Sequence, residues 1–316
     1  MAKSKVSTPA HWSFADATRA KDFVRGEGRP FVVKADGLAK GKGTLVPRDV
    51  DETIRAIDEL MVRRSVGAAA DSILLEEKLE GREVSLMALV DGRRVMPLAP
   101  ACDYKRALAG DQGANTGGMG GYSPVPFFDD AGVDLVVHSV LEPVVETLNA
   151  AGQPYRGCLY AGLMIGDYGV RVLEFNARFG DPEAQVVLPR LESDIIPLME
   201  ATARGELGEE RARWTPKASV GVVLTSGGYP GTYESGRMID GLSRLEPETY
   251  AFHAGTIAGP DGYLTAGGRV LTVVALGETM AQAREKAYRN VEKIQFDGMA
   301  FRPDVAQREI EVPALP

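Results

Sequence analysis

The chain has 316 residues, 44% of them hydrophobic and 25% charged, a composition typical of a globular protein that excludes a disordered or fibrous chain. The length suggests about two domains with enough chain to bury a core. The formal net charge of −8, without a polybasic tail, argues against general binding to nucleic acid or to an acidic membrane surface.

Cysteine and histidine usage narrows the kinds of site that are expected. Cys102 and Cys158 do not form a Cys-x-x-Cys pair and the three histidines are far apart, which argues against a disulfide framework and a zinc site. Any metal should be a hard cation held by oxygen atoms. Because no apolar run reaches the roughly 18 residues of a membrane span and the N-terminus has no apolar signal core, we expect a cytoplasmic protein.

Hydrophobic periodicity and turn residues predict alternating helices and strands over the first hundred residues. In chain order these are a helix over 14–25, strands over 31–35 and 44–46 around a glycine-rich turn, a helix that begins at Asp49, and a strand over 73–77. A hairpin of 84–90 with 94–98 is also predicted, because Asp91-Gly92 is a strong hairpin-turn signal.

The rest of the chain continues this mixture. After a glycine-rich segment over 110–126, the pattern predicts a helix over 130–151, a hairpin of 159–165 with 170–175, a helix over 194–204 closed by Gly205, strands over 219–224 and 269–275, and a helix over 279–294. Glycine and proline turns alternate with short strands after residue 216, so a domain boundary is expected within 205–216. Hairpins mixed with crossover helices indicate an α/β or α+β fold with mixed sheets.

Two lysines near a glycine-rich turn suggest a phosphate site. Lys34 lies in the middle of a predicted strand, where its ammonium group is partly desolvated unless an anion meets it. Lys42 lies between two glycines in a loop whose backbone N–H groups are able to surround a polyphosphate. Each lysine alone is more simply a solvated residue, but the pair favours phosphate binding. The spacing is not that of a P-loop, and no Gly-x-Gly-x-x-Gly motif supports a dinucleotide fold.

A carboxylate and an amide two residues apart suggest a metal site. Glu174 and Asn176 lie in a predicted strand and point to the same side, where their oxygens suit an Mg²⁺ ion that bridges phosphates. Arg178 follows, and its guanidinium group suits a transferring phosphoryl group or a carboxylate. The alternative is a polar strand edge in which Arg178 pairs with Asp181.

An acidic stretch ends the strand over 73–77. Glu76 and Glu77 stand at the strand end and Glu83 follows. A carboxylate here is able to accept hydrogen bonds from ribose hydroxyls while neighbouring backbone groups bind an adenine edge. The simpler alternative is a solvated acidic connector.

Four sequence runs form a recognisable pattern: Val33-Lys34-Ala35-Asp36-Gly37-Leu38-Ala39 with Gly41-Lys42-Gly43, Asp103-Tyr104-Lys105-Arg106, Asn115-Thr116-Gly117-Gly118-Met119-Gly120, and Glu174-Phe175-Asn176-Ala177-Arg178-Phe179-Gly180-Asp181-Pro182-Glu183. Together these runs resemble the phosphoribosylamine–glycine ligases, an ATP-grasp family of purine biosynthesis. The first run and the Glu-x-Asn-x-Arg strand are typical of ATP-grasp proteins in general, whereas runs 115–120 and 178–183 are specific to this family. The similarity extends from about residue 8 to residue 310.

The resemblance implies a fold and a reaction. The fold is an ATP-grasp domain over 1–210, with a lid subdomain at about 31–95, followed by a small α+β C-terminal domain over 217–316. In the reaction, the glycine carboxylate attacks the γ-phosphate of ATP, and the amine of 5-phosphoribosylamine then attacks glycyl phosphate. Glycinamide ribonucleotide, ADP and phosphate are the products. Since water would hydrolyse the acyl phosphate, the loop around Lys42 is expected to close during turnover.

The resemblance also assigns roles to individual residues, with small molecules as the expected partners. The assignments are Lys34 and Lys42 for the ATP phosphates, Glu76, Glu77, Leu79 and Glu83 for adenosine, Glu174 and Asn176 for Mg²⁺ or Mn²⁺, Arg178 and Lys42 for catalysis, and Asp103, Lys105, Asn115, Arg178 and Asp181 for the acceptor pocket.

One departure from the family bears on acceptor binding. The family has a further N-terminal domain that helps to hold phosphoribosylamine, and the similarity of this sequence starts just after that domain. We therefore expect full acceptor binding to need the domain, supplied in trans. Two other functions stay open: a nucleotide-binding subunit that is not catalytic alone, and a carboxylase-type ATP-grasp enzyme, against which the run 115–120 argues.

Overall fold

The structure, a computed structural model, describes residues 1, 3–39, 43–209 and 211–311, with the backbone only at Glu311. The chain forms two compact units. The smaller unit consists of Ser7–Arg82 and Met164–Leu173, and the larger unit consists of Met1–Val6, Glu83–Leu163 and the chain from Glu174 onward. Each helix in the described ranges is too short or too polar to cross a lipid bilayer.

The smaller unit is an antiparallel sheet packed against two helices. Its elements are β1 (His11–Phe14), α1 (Ala17–Glu27), β2 (Phe31–Ala35), β3 (Thr44–Leu45), α2 (Val50–Ile57) with a π-helical continuation over Asp58–Val62, a 3₁₀ turn over Gly67–Ala70, and β4 (Ile73–Glu77). The strand order is β1-β4-β2-β3. Asp16 and Asp49 cap the two helices, because each carboxylate accepts a hydrogen bond from a backbone N–H three residues later.

Side-chain alternation along β2 decides which residues face the helices. Phe31 and Val33 are fully buried in one cluster with Val24 of α1 and Leu60 of the π-helical turn. Because successive side chains of a strand point to opposite faces, Lys34 lies on the face away from this core.

The larger unit is built on two main sheets. Its strands are β5 (Arg82–Asp91), β6 (Val95–Pro97), β7 (Cys102–Asp103), β8 (Arg106–Leu108), β9 (Gln112–Asn115), β10 (Gly120–Ser123), β11 (Arg156–Gly166), β12 (Gly169–Asn176), β13 (Ala218–Thr225), β14 (Met238–Ile239), β15 (Thr249–His253), β16 (Thr256–Gly259), β17 (Gly262–Thr265) and β18 (Arg269–Gly277). The main sheets have the orders β15-β18-β13-β10-β7 and β12-β11-β5-β6, and smaller sheets have the orders β14-β17-β16 and β8-β9. The tip of the β11-β12 hairpin belongs to the smaller unit.

Helices and short helical turns connect these strands. They are α3 (Asp130–Val136), a π-helical turn over Val137–Leu141, α4 (Glu142–Ala150), α5 (Glu183–Val187), α6 (Ile195–Arg204), α7 (Met280–Val291) and α8 (Arg308–Glu311), with 3₁₀ turns over Ala109–Asp111, Leu188–Arg190 and Leu242–Arg244. Helix α6 ends at Gly205, which takes the left-handed conformation that glycine adopts most readily (φ 83°).

The predicted elements are present, but one helix begins later than expected and several strands were not predicted, among them β7, β8 and β14 to β17. The helix expected over 14–25 begins only at Ala17, because Phe14 belongs to strand β1. The glycine-rich segment over 110–126, for which no regular structure was predicted, contains β9 and β10. In β10, a Cβ atom on Gly121 would lie 2.8 Å from the carbonyl oxygen of Cys102, so glycine allows the close approach of β7.

The region around the expected domain boundary is part of one sheet. Strand β13, beyond 205–216, pairs antiparallel with β10, which precedes it by about a hundred residues. The chain on both sides of 205–216 therefore shares a sheet. We predicted domains over 1–210 and 217–316 and a lid subdomain over about 31–95. These divisions were made from the sequence, and they stay predictions.

Candidate functional site

Lys34 is paired with a carboxylate of its own sheet. The register of β2 and β4 places Val32 opposite Glu76, so Lys34 and Glu76 are diagonal neighbours on one face. The Nζ atom of Lys34 lies 2.6 Å from Oε2 of Glu76, and the two side chains are only 18% and 12% exposed. It also donates a hydrogen bond of 3.0 Å to the carbonyl oxygen of Leu173. An anion therefore meets this strand lysine, as its desolvation requires, and the anion is Glu76.

The glycine-rich turn after β2 is held at both ends by backbone hydrogen bonds. Ala35 donates to the carbonyl oxygen of Gly43 (2.8 Å), and Gly37 donates to that of Ala69 (2.8 Å). A Cβ atom on Gly37 would lie 2.7 Å from the Cα of Ala69, so the close approach requires glycine. Lys42, assigned to phosphate binding and catalysis, lies outside the described residues, as do its neighbours at 40 and 41.

The residues assigned to adenosine are divided along the chain between the smaller unit and the larger unit. Glu77 ends β4 in the smaller unit, where its N–H donates to Ala10 O (2.8 Å) and its carboxylate is 40% exposed. Leu79 follows in the extended segment and is partly buried. Glu83 belongs to β5 of the larger unit and forms an ion pair with Lys105.

Glu174 and Asn176 point to the same side of β12, as predicted. The Asn176 side chain donates a hydrogen bond of 3.2 Å to Oε1 of Glu174. A Cβ atom on Gly162 would lie 3.2 Å from the Cγ of Glu174, so glycine in the adjacent strand leaves space for this carboxylate. A carboxylate and an amide oxygen suit Mg²⁺ or Mn²⁺, which complete their coordination with water and phosphate oxygens. Among the described residues, no group of three or more His, Cys, Asp or Glu side chains is placed so that it could hold a metal ion.

Arg178 is exposed just beyond this pair. Its guanidinium group donates to the carbonyl oxygen of Phe179 (2.7 Å). The described side chains do not form the alternative pair of Arg178 with Asp181. The Asp181 carboxylate instead binds Arg269 at 2.9 Å.

Asp103 and Lys105, assigned to the acceptor pocket, lie in a charged cluster in which the Asp103 side chain is buried and those of Lys105 and Glu83 are partly exposed. The Asp103 side chain is only 7% exposed and lies 3.8 Å from the Lys105 ammonium group, which also pairs with Glu83. Burial raises the pKa of Asp103 to about 7, and the carboxylates of Glu183 and Glu83 act in the same direction against Lys105. Burial opposes the charge of Lys105, but Asp103 and Glu83 outweigh it and raise the lysine pKa well above its ordinary value.

A buried carboxylate that the sequence assignments missed lies beside this cluster. Glu183 is 3% exposed, and its Oε1 accepts hydrogen bonds from Tyr160 (2.6 Å) and Ser85 (3.1 Å). A Cβ atom on Gly180 would lie 2.6 Å from its Oε2. Burial is the main reason why the pKa of Tyr160 lies well above its ordinary value, and the nearby Glu183 and Asp103 act in the same direction. The phenol therefore stays a hydrogen-bond donor. The signal in the sequence was the position of Glu183 at the end of a family-specific run.

The two family-specific runs touch each other. Gly118 has a φ of 113°, and a Cβ atom there would lie 2.3 Å from the Cδ of Pro182, so a larger residue does not fit. The run is also fixed to Lys105, whose carbonyl oxygen accepts from both the N–H and the hydroxyl of Thr116 at 2.8 Å. Asn115 lies next to this contact, opposite Arg106 in the β8-β9 pair. The structure therefore brings residues 103–105, 115 and 181, which the resemblance assigns to the acceptor pocket, into one region of the larger unit.

Comparison with known proteins defines the class first. The model of the ATP-grasp (A) domain of phosphoribosylglycinamide synthetase matches residues 1–184, and the model of the C domain of that enzyme matches residues 219–308. A crystal structure of biotin carboxylase from Campylobacter jejuni superposes with a TM-score of 0.70 over 99% of this chain and 68% of its own, at 16% identity, a likeness of fold alone. The fold is that of the ATP-grasp proteins, as predicted.

Similar sequences define the family. A phosphoribosylamine–glycine ligase of Neisseria meningitidis is 45% identical over 98% of this chain and 74% of its own length, and one of Streptomyces coelicolor is 49% identical over 98% and 73%. The crystal structure of a ligase of the same name from Thermotoga maritima has a TM-score of 0.87 at 34% identity, over 97% of this chain and 76% of its own. The chain belongs to the phosphoribosylglycinamide synthetase family, which confirms the resemblance seen in the sequence.

Proposed function

We propose that the chain catalyses the ATP-dependent ligation of glycine to 5-phosphoribosylamine through glycyl phosphate. The observation that carries this proposal is the meeting of the family-specific runs 115–120 and 178–183 with the Asp103–Lys105 cluster in the larger unit. These runs distinguish the family from other ATP-grasp proteins. A carboxylase has no need of them, which favours the ligase.

In the first step an oxygen of the glycine carboxylate attacks the γ-phosphorus of ATP. The bond from the γ-phosphorus to the bridging oxygen breaks, and ADP leaves with the electron pair. Lys34 is suited to bind phosphate oxygens because Glu76 holds its ammonium group in place. Glu76 then acts on ATP chiefly through Lys34, while Glu77, Leu79 and Glu83 contact the adenosine. Lys42 is proposed to reach the phosphates from the glycine-rich loop.

Glu174 and Asn176 are proposed to hold Mg²⁺ or Mn²⁺ with their side-chain oxygens. The ion would neutralise charge on the phosphates when it is bound. Arg178 is exposed beyond the pair, where its guanidinium group suits the transferring phosphoryl group. Catalysis of this kind depends on positioning and charge neutralisation and needs no nucleophilic side chain, since the substrates supply the nucleophiles.

In the second step the amine of phosphoribosylamine attacks the acyl carbon of glycyl phosphate. A C–N bond forms, the acyl C–O bond breaks, inorganic phosphate leaves with the electron pair, and the amine proton passes to the solvent. Asp103, Lys105, Asn115 and Asp181 are proposed to surround this acceptor. Their convergence around Thr116 and Gly118 supports a single pocket.

Release of ADP with different acceptors tests the proposal. With MgATP, phosphoribosylamine and the N-terminal domain of a relative present, added glycine should stimulate ADP release and give glycinamide ribonucleotide, whereas bicarbonate should not. Stimulation by bicarbonate instead of glycine would identify the carboxylase alternative. Binding of MgATP without turnover under any of these conditions, including addition of the N-terminal domain, would identify the nucleotide-binding alternative.

The N-terminal domain of the family is proposed to complete acceptor binding in trans. The chain spans about three quarters of the length of the relatives that it matches. Cys102 and Cys158 are both buried and neither forms a disulfide, which suits the reducing cytoplasm that we propose as the location.

A further inference from the structure

Arg269 connects the two family-specific runs from a distant part of the chain. It is the first residue of β18, and its guanidinium group reaches both loops. The Nη1 atom donates to the carbonyl oxygen of Gly117 (2.8 Å) and to the carbonyl oxygen and Oδ1 of Asp181 (both 3.1 Å), while Nη2 donates to Oδ2 of Asp181 (2.9 Å). One side chain thus binds the backbone of one run and both the backbone and carboxylate of the other.

This arrangement depends on the shape of a guanidinium group. The planar fork meets the Asp181 carboxylate with two nitrogens and also faces two carbonyl oxygens, which the single nitrogen of a lysine is unable to do. A Cβ atom on Gly117 would lie 3.0 Å from the Cζ of Arg269, so the loop backbone packs directly on the group. The Arg269 side chain is only 22% exposed, whereas that of its partner Asp181 is 46% exposed.

A second contact holds the other backbone polar group of Gly117. The N–H of Gly117 donates to the hydroxyl of Tyr229 (3.0 Å), which also comes from the chain beyond 216. Gly268, directly before Arg269, has no space for a Cβ atom, which would lie 2.3 Å from Cδ2 of the Tyr229 ring. The N–H and the carbonyl of Gly117 are therefore both fixed by side chains of this distant segment.

The clamped loop carries the acceptor residues. Thr116, next to Gly117, donates both its N–H and its hydroxyl to the carbonyl oxygen of Lys105. Asn115 precedes Thr116, and Asp181 is itself a ligand of Arg269. Any shift of Gly117 or Asp181 is therefore transmitted to the residues proposed to bind phosphoribosylamine.

We propose that Arg269 is a positioning residue that fixes runs 115–120 and 178–183 in the geometry needed for phosphoribosylamine. The proposal rests on the proposed function, in which these runs bind the acceptor, and it assigns a role to a residue outside the runs. Arg269 acts through Gly117 and Asp181. Among the interactions of the described side chains, Arg269 makes no contact with the residues assigned to ATP. Its loss should impair the second step of the reaction much more than nucleotide binding.

The Arg269→Lys variant tests this role in the full chain, with the N-terminal domain added. It keeps the charge but loses the fork, and we expect kcat/KM for phosphoribosylamine to fall by about tenfold to a hundredfold, since small displacements in a site have effects of this size. The stabilisation by MgATP in a thermal shift should stay as in the wild type. The control is Arg237→Lys, because Arg237 is more exposed and pairs with Glu234 and Asp297 instead.

A double-mutant cycle with Asp181→Asn separates positioning from a general loss of structure. If Arg269 acts through Asp181, the double variant should lose little more than the worse single variant. Equal kcat/KM for phosphoribosylamine in Arg269→Lys and wild type, or additive losses in the cycle, would overturn the inference. If the wild-type protein were inactive even with the N-terminal domain added, the proposed function would be wrong. The role of Arg269 would then still be tested by amide hydrogen exchange. The Gly117 amide should exchange faster in Arg269→Lys than in the wild type, and at the wild-type rate in Arg237→Lys.

Discussion

Glu174 is the residue on which metal binding depends most in the proposed site. Its carboxylate stands beside Asn176 and has space because Gly162 lies opposite. We expect Glu174→Gln to remove most of the stabilisation that MgATP gives in a thermal shift, because an amide is a much weaker Mg²⁺ ligand than a carboxylate. The melting temperature without ligand should change little, since the side chain is exposed.

A change of the same type in the same hairpin is the control for this prediction. Asp167 lies exposed in the turn between β11 and β12, and Asp167→Asn should keep the full MgATP stabilisation. If Glu174→Gln also kept it, the metal assignment would be wrong.

Asp103 should make the free energy of unfolding depend on pH. Its folded-state pKa is about 7, raised by burial from an ordinary value near 3.8. The folded protein therefore keeps a proton that the unfolded chain loses, so this group's stabilising contribution is complete below about pH 4 and is lost as pH rises to about 7. Asp103→Asn should remove a loss on the order of 2–4 kcal/mol between about pH 5 and about pH 8.

Urea unfolding of both proteins at these two pH values measures the effect. The difference between wild type and variant isolates Asp103 from other groups that titrate in the same range. Asp297→Asn is the control, because this carboxylate is 77% exposed. Parallel pH dependence in wild type and Asp103→Asn would show that Asp103 is already ionised at low pH.

At the scale of elements, a buried arginine connects the segment 302–309 to residues 104–111. The Arg302 side chain is fully buried and donates to both carboxylate oxygens of Asp304 (2.8 and 2.7 Å), to Asp111 (2.9 Å) and to the carbonyl oxygen of Arg106 (3.0 Å). Its guanidinium carbon lies 4.7 Å from the centre of the Tyr104 ring. We expect Arg302→Met to lower the free energy of unfolding by about 2–3 kcal/mol, because two carboxylates and a carbonyl lose their partner.

Arg308 provides the comparison for this prediction in urea unfolding. It pairs with the same Asp111 at 2.7 Å, but its side chain is 62% exposed. Arg308→Met should therefore change the free energy of unfolding by no more than about 1 kcal/mol. Equal losses in the two variants would show that burial does not set the strength of these pairs.

Elements determined by local sequence were predicted, whereas long-range polar contacts were not. The helix start at Asp49, the helix end at Gly205 and the spacing of Glu174 and Asn176 depend on neighbours in the chain, so they were visible in the sequence. Strand β1 was missed because its aromatic residues also fit the start of a helix; Phe14 packs on Phe23 with ring centres 5.3 Å apart. Arginine is usually a surface residue, so nothing in the sequence marked Arg269 as a partner of Asp181, 88 residues away.

At the scale of the whole molecule, the 316 residues match the A and C domain models of the family, and acceptor binding is proposed to need the family's N-terminal domain as well. The residues assigned to ATP and the metal lie between Lys34 and Arg178, within the part that the ATP-grasp model matches. By resemblance, the phosphate of phosphoribosylamine depends partly on that further domain. Binding of a remote phosphate also orients the reacting amine, so losing it affects both affinity and rate.

We therefore expect the 316-residue chain to bind MgATP and to form glycinamide ribonucleotide poorly or not at all when assayed alone. Adding the N-terminal domain of a relative in trans should restore product formation, at a rate that rises with the concentration of the domain and then saturates, since the two pieces are not linked. An unrelated domain of similar size is the control and should have no effect. A kcat/KM for phosphoribosylamine that is the same with and without the added domain would contradict the prediction, and it would mean that Lys105, Arg106 and Asp181 suffice to bind the acceptor.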